Sequence, residues 1–195
     1  MYRRAAGSQD PRTLRSRSLL QDALLEILRQ SPGATVAVAD LTERAGVNRS
    51  TFYQHYREVD DLLADALDAR AVGAGADLES IPPDAMSGSE PPAAFLAYVE
   101  HIAANRVLYR RVLGGQGSPA ATERLRRRLV DAIVASLQLR PPPATRTPTI
   151  VTASAMAGAL LGVLSCWVEL MPHVPAREAA GWAWEAVMRA APDAT

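Results

Sequence analysis

Residues Leu41–Leu63 read LTERAGVNRSTFYQHYREVDDLL. Asp40 to Ala45 has a helical composition. Gly46 then supplies the residue that can take positive φ at a helix end. Asn48 is a strong N-cap for a second helix over Arg49 to His55. That second helix carries Arg, Ser, Thr, Tyr, Gln and His, with little that is apolar beyond Phe52. A helix so short and so polar is not built for core burial. It suits a charged, hydrogen-bonding partner, and a helix-turn-helix lays such a helix in the DNA major groove.

The run RAGVNRSTFYQHY resembles the helix-turn-helix signature of the tetracycline-repressor (TetR/AcrR) family of bacterial transcription regulators. Several features agree at once: the turn at Ala45-Gly46-Val47, Thr51-Phe52-Tyr53, His55-Tyr56, and Asp61-Leu62-Leu63 opening a connecting helix. The resemblance spans roughly residues 13 to 68. Beyond it, only the all-helical pattern and the Trp-bearing C-terminal helices are similar. It implies a phosphate-contacting role for Thr51, Tyr53 and His55. Arg49, Ser50 and Gln54 are the candidates for base edges, since Arg pairs with guanine O6/N7 and Gln with adenine N6/N7. Asn48 and Arg57 complete the candidate DNA-binding set. Phe52 is expected in a small core with Leu24, Leu28 and Leu41, and Tyr56 is expected to pack there too.

The chain departs from the family pattern in places. Ala37 and Ala39 stand where a cap and a phosphate-binding Arg are usual, and Val59 stands where Lys is. Thr35 is expected to cap from one turn out of place, and Arg57 to replace the lysine contact. The basic arm Arg12, Arg15 and Arg17 is expected to compensate by reaching the backbone or the minor groove.

Net charge is zero, so the molecule as a whole is no polycation, but charge is segregated. Residues 1–20 hold five Arg against one Asp, residues 61–105 one Arg against eight acids, and residues 106–128 seven Arg against one Glu. The basic N-terminus fits a phosphate-facing surface. The run Arg124, Arg126, Arg127, Arg128 reads first as a solvated helix face. The sequence has no lysine, which excludes a P-loop lysine, a Schiff base and a Ser-Lys dyad. Its single cysteine, Cys166, allows no intrachain disulfide and fits a reducing, cytoplasmic setting. Cys166 lies in an apolar helix, where a thiol is expected to be inert. MYRRAAGSQDP has no apolar h-region and is read as carrying no secretory signal.

Apolar residues make up 48% of the 195-residue chain, ample for a packed core. They recur at helical spacing, as in Leu20, Leu24, Ile27, Leu28 and in Phe95, Tyr98, Val99, Ile102. The pattern predicts helices at about 11–30, 38–45, 49–55, 59–79, 92–104, 106–113, 119–138, 147–171 and 175–190. Proline-rich breaks fall at Ile81 to Pro92 and Arg140 to Pro148, with a weaker one at Gly114 to Pro119. Residues 1–10 and 192–195 are read as frayed tails. The fold class is all-α. A helix-turn-helix domain with its basic arm occupies residues 1–58, and a helical ligand-binding and dimerisation domain occupies 59–195.

The uncharged stretch Thr149 to Val168 is long enough to span a membrane and contains a GxxxG pattern at Gly158 and Gly162. It is light in Leu, Ile and Phe and has no bracketing Arg cluster, so a buried helix is the preferred reading and no membrane partner is expected. Small residues let a partner helix approach closely. Gly158, Gly162, Trp182 and Trp184 are therefore the candidate dimer interface. The resemblance implies a ligand pocket, with Phe95, Tyr98, His101 and Tyr109 as candidate lining. His101 reads equally as a partly buried, satisfied histidine, and His173, after a proline, as exposed. His55, His101 and His173 follow no metal-ligand spacing, and GGQGSP is no phosphate cradle. No enzyme, catalytic residue, metal or cofactor is expected.

The sequence thus points to a homodimeric transcriptional regulator, a repressor released from a palindromic double-stranded operator by a small, mainly apolar effector. The alternatives are a ligand-independent regulator and a helical interaction protein that retains the motif.

Overall fold

Asp10 and Pro11 open the first helix. The Asp10 carboxylate accepts from the Arg12 N–H at 3.0 Å, and Pro11 sits at the first helical position, where its missing N–H costs nothing. In the computed structural model this helix, α1, runs Pro11–Gln30. The structure describes residues 10–31, 33–82, 85, 88–115, 118–139 and 147–191. Of the expected tails at 1–10 and 192–195 only Asp10 is described, as the N-cap of α1, and most of the second proline-rich break also lies outside the described residues. The described residues form α-helices and turns and no strand. The chain divides into two compact units, residues 1–66 and 67–195.

In the first unit, α2 (Val38–Ala45) and α3 (Arg49–His55) follow α1, and α4 begins at Val59. Gly46 ends α2 with φ of 64°, and the Gly46 and Val47 N–H groups return to the carbonyls of Glu43 and Thr42. That pairing satisfies the helix's last carbonyls, and a side chain at φ near +60° would be strained there. Asn48 holds the N-cap position of α3 in extended conformation, yet its side chain makes no capping bond. The expected Thr35 cap is absent as well: Ala37 holds the N-cap position of α2, and no side chain caps the helix. What holds these short helices is burial. Leu20, Leu24, Leu28, Leu41 and Phe52 are wholly buried, and Tyr56 nearly so. Phe52 and Tyr56 lie 5.8 Å apart between ring centroids.

Helix α4 spans Val59–Gly73, six residues shorter at its end than the sequence pattern predicts. Gly75, at φ 80°, places its N–H on the Val72 carbonyl, and Ala76 N–H reaches back to Ala71. This is the same glycine-dependent stop as at Gly46, and it overrides the continuing apolar pattern. A short 3-10 turn at Leu78–Ser80 follows, with Asp77 accepting from Glu79 N–H.

The second unit contains α5 (Ala93–Ala104), α6 (Arg106–Leu113), α7 (Pro119–Gln138), α8 (Thr149–Leu170) and α9 (Ala176–Ala190). Helix α8 packs against α7, α9 and α6, burying Met156, Leu160, Leu164, Trp167 and Val168 among others. It has the length and composition of a membrane span. Here it is a bundle helix with one buried face. Its C-terminal carbonyls are met by α6: Arg106 donates to Trp167 O at 3.3 Å and Arg110 to Val168 O at 3.2 Å. The Arg106 guanidinium also lies 4.3 Å from the Trp167 ring centroid. Cations at this end oppose the helix's negative pole.

Because α3 depends on Phe52, Phe52→Ala should destabilise the first unit by about 3–5 kcal/mol. Urea unfolding followed by circular dichroism checks this. A loss below about 1 kcal/mol would show that the helix is held by something else.

Candidate nucleic-acid interface and internal cavity

The burial of Phe52 fixes which side of α3 faces outward. Asn48, Arg49, Ser50, Tyr53, Gln54 and Arg57 are exposed, and Thr51 and His55 are half-buried. Tyr53 is 59% exposed, although its ring stands edge-on to Phe52 at 5.3 Å. The phenol therefore leans on the core at its root and presents its hydroxyl to solvent. Donors and acceptors of four chemistries, guanidinium, hydroxyl, phenol and carboxamide, thus share one face. Such a set can meet both phosphate oxygens and base edges.

The far end of α3 is tied down by a polar cluster that sequence reasoning missed. Asp65 on α4 accepts two hydrogen bonds from the Arg17 guanidinium, at 2.9 and 2.7 Å, one from Gln21 at 2.9 Å, and one from the Tyr56 hydroxyl. Arg17 also donates to the Tyr56 oxygen at 3.4 Å. Burial opposes the charge of Arg17, but its bonds to Asp65 and Tyr56 outweigh that and raise its pKa further. Burial, reinforced by the Asp65 carboxylate, pushes the Tyr56 phenol up to about 12. Arg17 was expected in the DNA-facing arm. Its side chain is instead turned inward by a carboxylate 48 residues away, while Arg12 and Arg15 remain exposed.

His55 also has an internal partner. Ser16 donates its hydroxyl to Thr13 O at 3.0 Å, and His55 Nε2 lies 3.1 Å from the same Ser16 oxygen. With the Ser16 proton committed, Nε2 carries the hydrogen and donates. Burial, and then the positive charge of Arg17, lower the His55 pKa.

The second unit contains an apolar cavity of about 50 Å³, open on one side, between α5, α7, α8, α9 and the 3-10 turn. Phe95, Leu129, Ile133, Leu160 and Trp184 line it. Of the expected pocket residues, Phe95 is among the lining. Tyr98 borders a second space of about 20 Å³ together with Asp68 and Arg128. His101 and Tyr109 line neither; their rings meet edge-on at 5.9 Å. The reason is angular. His101 lies six residues beyond Phe95, roughly 120° around the helix. Burial lowers the His101 pKa and raises those of Tyr98 and Tyr109.

Trp184, expected at a dimer interface, is buried inside this unit. Its ring packs on Phe95 at 5.2 Å and its indole N–H donates to Gly88 O at 3.0 Å. Trp182 is half-buried. Gly158 and Gly162 lie on an outward stripe of α8 with Val151, Ala155 and Cys166, all exposed. The Cys166 thiol is exposed on this stripe. His173 is exposed.

A helix-turn-helix unit with a polar outward helix, together with an all-helical bundle around an apolar cavity, defines the class of protein. No family model matches the chain. It is similar to the uncharacterized HTH-type transcriptional regulator YxbF of Bacillus subtilis (strain 168), 36% identical over 55 residues. That match covers 28% of this chain and 14% of the other protein. Thermus thermophilus FadR, described as a TetR family transcriptional repressor, superposes with a TM-score of 0.63 at 17% identity, covering 88% of this chain and 92% of FadR. PfmR, a TetR family regulator also from Thermus thermophilus, matches with a TM-score of 0.41 at 18% identity, over 88% of this chain and 97% of PfmR. The fold is that of the TetR-family transcriptional regulators.

Two outcomes test the Asp65 cluster. Asp65→Asn keeps the shape but leaves the half-buried Arg17 charge uncompensated, and should cost roughly 1–3 kcal/mol in urea unfolding. A phenol pKa raised from 10 in the unfolded chain stabilises fully below pH 10 and loses that contribution as pH rises through about 12. Wild-type stability should therefore fall more steeply than that of Tyr56→Phe across this window. Parallel slopes would show that Tyr56 titrates as it does unfolded.

Proposed function

We propose that the chain is a TetR-family DNA-binding regulator, a homodimeric cytoplasmic repressor that leaves a palindromic operator when a small, mainly apolar effector binds. The observation that carries this reading is the outward face of α3, where Arg49, Ser50, Tyr53 and Gln54 are exposed while Phe52 is fully buried. Arg49, Ser50 and Gln54 read base edges. Tyr53 and Thr51, with Asn48 and Arg57 at the two ends of the helix, hold the phosphates. Arg12 and Arg15 extend the contact along the backbone.

Dimerisation is supported by α8. A side-chain carbon at Gly158 or Gly162 would meet nothing within 4 Å, so nothing in the chain itself calls for glycine there. Each glycine costs a helix interior about 1 kcal/mol relative to alanine. Close approach of a partner α8 across the exposed stripe offsets that cost. Two-fold symmetry then sets the two α3 helices on half-sites of a palindrome. Effector control is supported by the apolar cavity within the bundle, and FadR, of like fold, was solved with lauroyl-CoA.

An operator selected in vitro from random duplexes provides the test. Binding should weaken steeply with salt. Tyr53→Ala should weaken all duplexes alike. Gln54→Ala should lose roughly 1–3 kcal/mol of discrimination at particular base pairs. Salt-insensitive or sequence-blind binding would favour a helical interaction protein that keeps the motif as scaffold.

Gly158→Arg sets an unpaired charge on the stripe. Wild type should sediment as a dimer at micromolar concentration and the variant as a folded monomer with weakened operator binding. A wild-type monomer that binds each half-site independently would overturn the dimer reading.

A further inference from the structure

The cavity in the second unit holds one chemical clue beyond its apolarity. Ser136 on α7 lines it, and the Ser136 hydroxyl is buried with no hydrogen-bond partner among the described residues. A helical serine ordinarily bonds a carbonyl one turn back, and this one does not. The other polar group on the wall, the Trp184 indole N–H, is already committed to Gly88 O. The rest of the described lining is hydrocarbon or ring, with no charged side chain.

A buried hydroxyl left unpaired is costly, so a partner for it is worth having. A lone water is a poor tenant, because it needs two to four polar partners and the described wall offers one free group. A hydrocarbon fills the volume but leaves Ser136 unpaired. A carboxylate would be desolvated with no cation to meet it. We infer that Ser136 anchors the effector, an uncharged and largely apolar molecule with a single hydrogen-bonding oxygen such as an alkyl ketone. Ser136 donates to that oxygen; the inner space of about 50 Å³ holds the carbonyl and its nearest carbons against Phe95, Leu129, Leu160 and Trp184, and the rest of the alkyl chain leaves by the open side of the pocket. This inference rests on the reading of the bundle as an effector domain and narrows the class of ligand it takes.

The test uses the full chain without DNA and three probes of one length: 2-heptanone, heptane and heptanoate at pH 7.5. Binding is read from tryptophan fluorescence, since Trp184 lines the site. The ketone should bind wild type at least tenfold tighter than heptanoate. Ser136→Ala should weaken the ketone about fivefold to tenfold and leave heptane unchanged, as expected for one hydrogen bond. Ala132→Leu, which fills the cavity from its wall, should abolish binding of both. Equal ketone affinity in wild type and Ser136→Ala, tighter binding of heptanoate, ketone binding that survives Ala132→Leu, or no ketone binding at all would each overturn the inference. Operator affinity with and without ketone is measured separately. Ketone that binds by Ser136 yet never changes operator affinity leaves this site standing and removes effector control. Failure of all three probes to bind overturns the site and leaves the DNA-binding face of α3 untouched.

Discussion

Helix α3 has seven residues, and a helix of that length does not persist alone in water, because nucleation costs more than so few hydrogen bonds return. Its shape is imposed from outside. Phe52 pins its middle by burial, and Tyr56, just past its end, is both buried and bonded to Asp65. Asp65 in turn gathers Arg17 and Gln21 from α1. Three segments thus meet on one carboxylate. Without the hydrophobic pin the helix would not form, and without the carboxylate its C-terminal end would have no fixed bearing on α1. The exposed polar face has a definite geometry only because both are present.

Local signals made much of this legible in the sequence. Pro11 and Pro119 at first helical positions, Gly46 at the end of α2, and apolar spacing along α1, α5 and α7 each act within a turn or two of chain. The end of α4 was missed because its apolar pattern runs past Gly73, whereas Gly75 decides the stop through a backbone conformation. Long-range polar pairing was not legible at all. Nothing within α1 marks Arg17 as the inward arginine and Arg15 as the outward one; the choice is made by Asp65, far along the chain. The cavity followed a similar rule. Phe95 reaches the cavity wall, but His101 and Tyr109 meet each other because of their positions around α5 and α6.

The second unit shows how a helix whose one charged residue is Glu169 is held at its end by the cations of a neighbour. Helix α8 has no basic residue in its last turn. Arg106 and Arg110 of α6 serve its terminal carbonyls instead, while Glu169 accepts from the Gly115 N–H. A Cβ on Gly114 would stand 2.4 Å from the Arg110 carbonyl oxygen, so the chain leaving α6 at this point has room only for glycine. Along the middle of α8 the exposed stripe Ala155, Gly158, Gly162 and Cys166 carries neither charge nor bulk, the condition that close contact with a second helix requires.

Turning Arg17 inward has an electrostatic cost for a DNA-binding surface. Of the N-terminal arm, Arg12 and Arg15 stay outward, and Ala39 and Val59 supply no charge where the family pattern places a cation. On the DNA-binding reading, affinity then leans less on counterion release and more on hydrogen bonds from Ser50, Thr51, Tyr53 and Gln54. Such bonds are worth most when their donors need not be ordered on binding. The Asp65 cluster supplies that order in advance. On that same reading, the arginine withdrawn from the surface helps hold rigid the helix whose neutral side chains carry more of the binding.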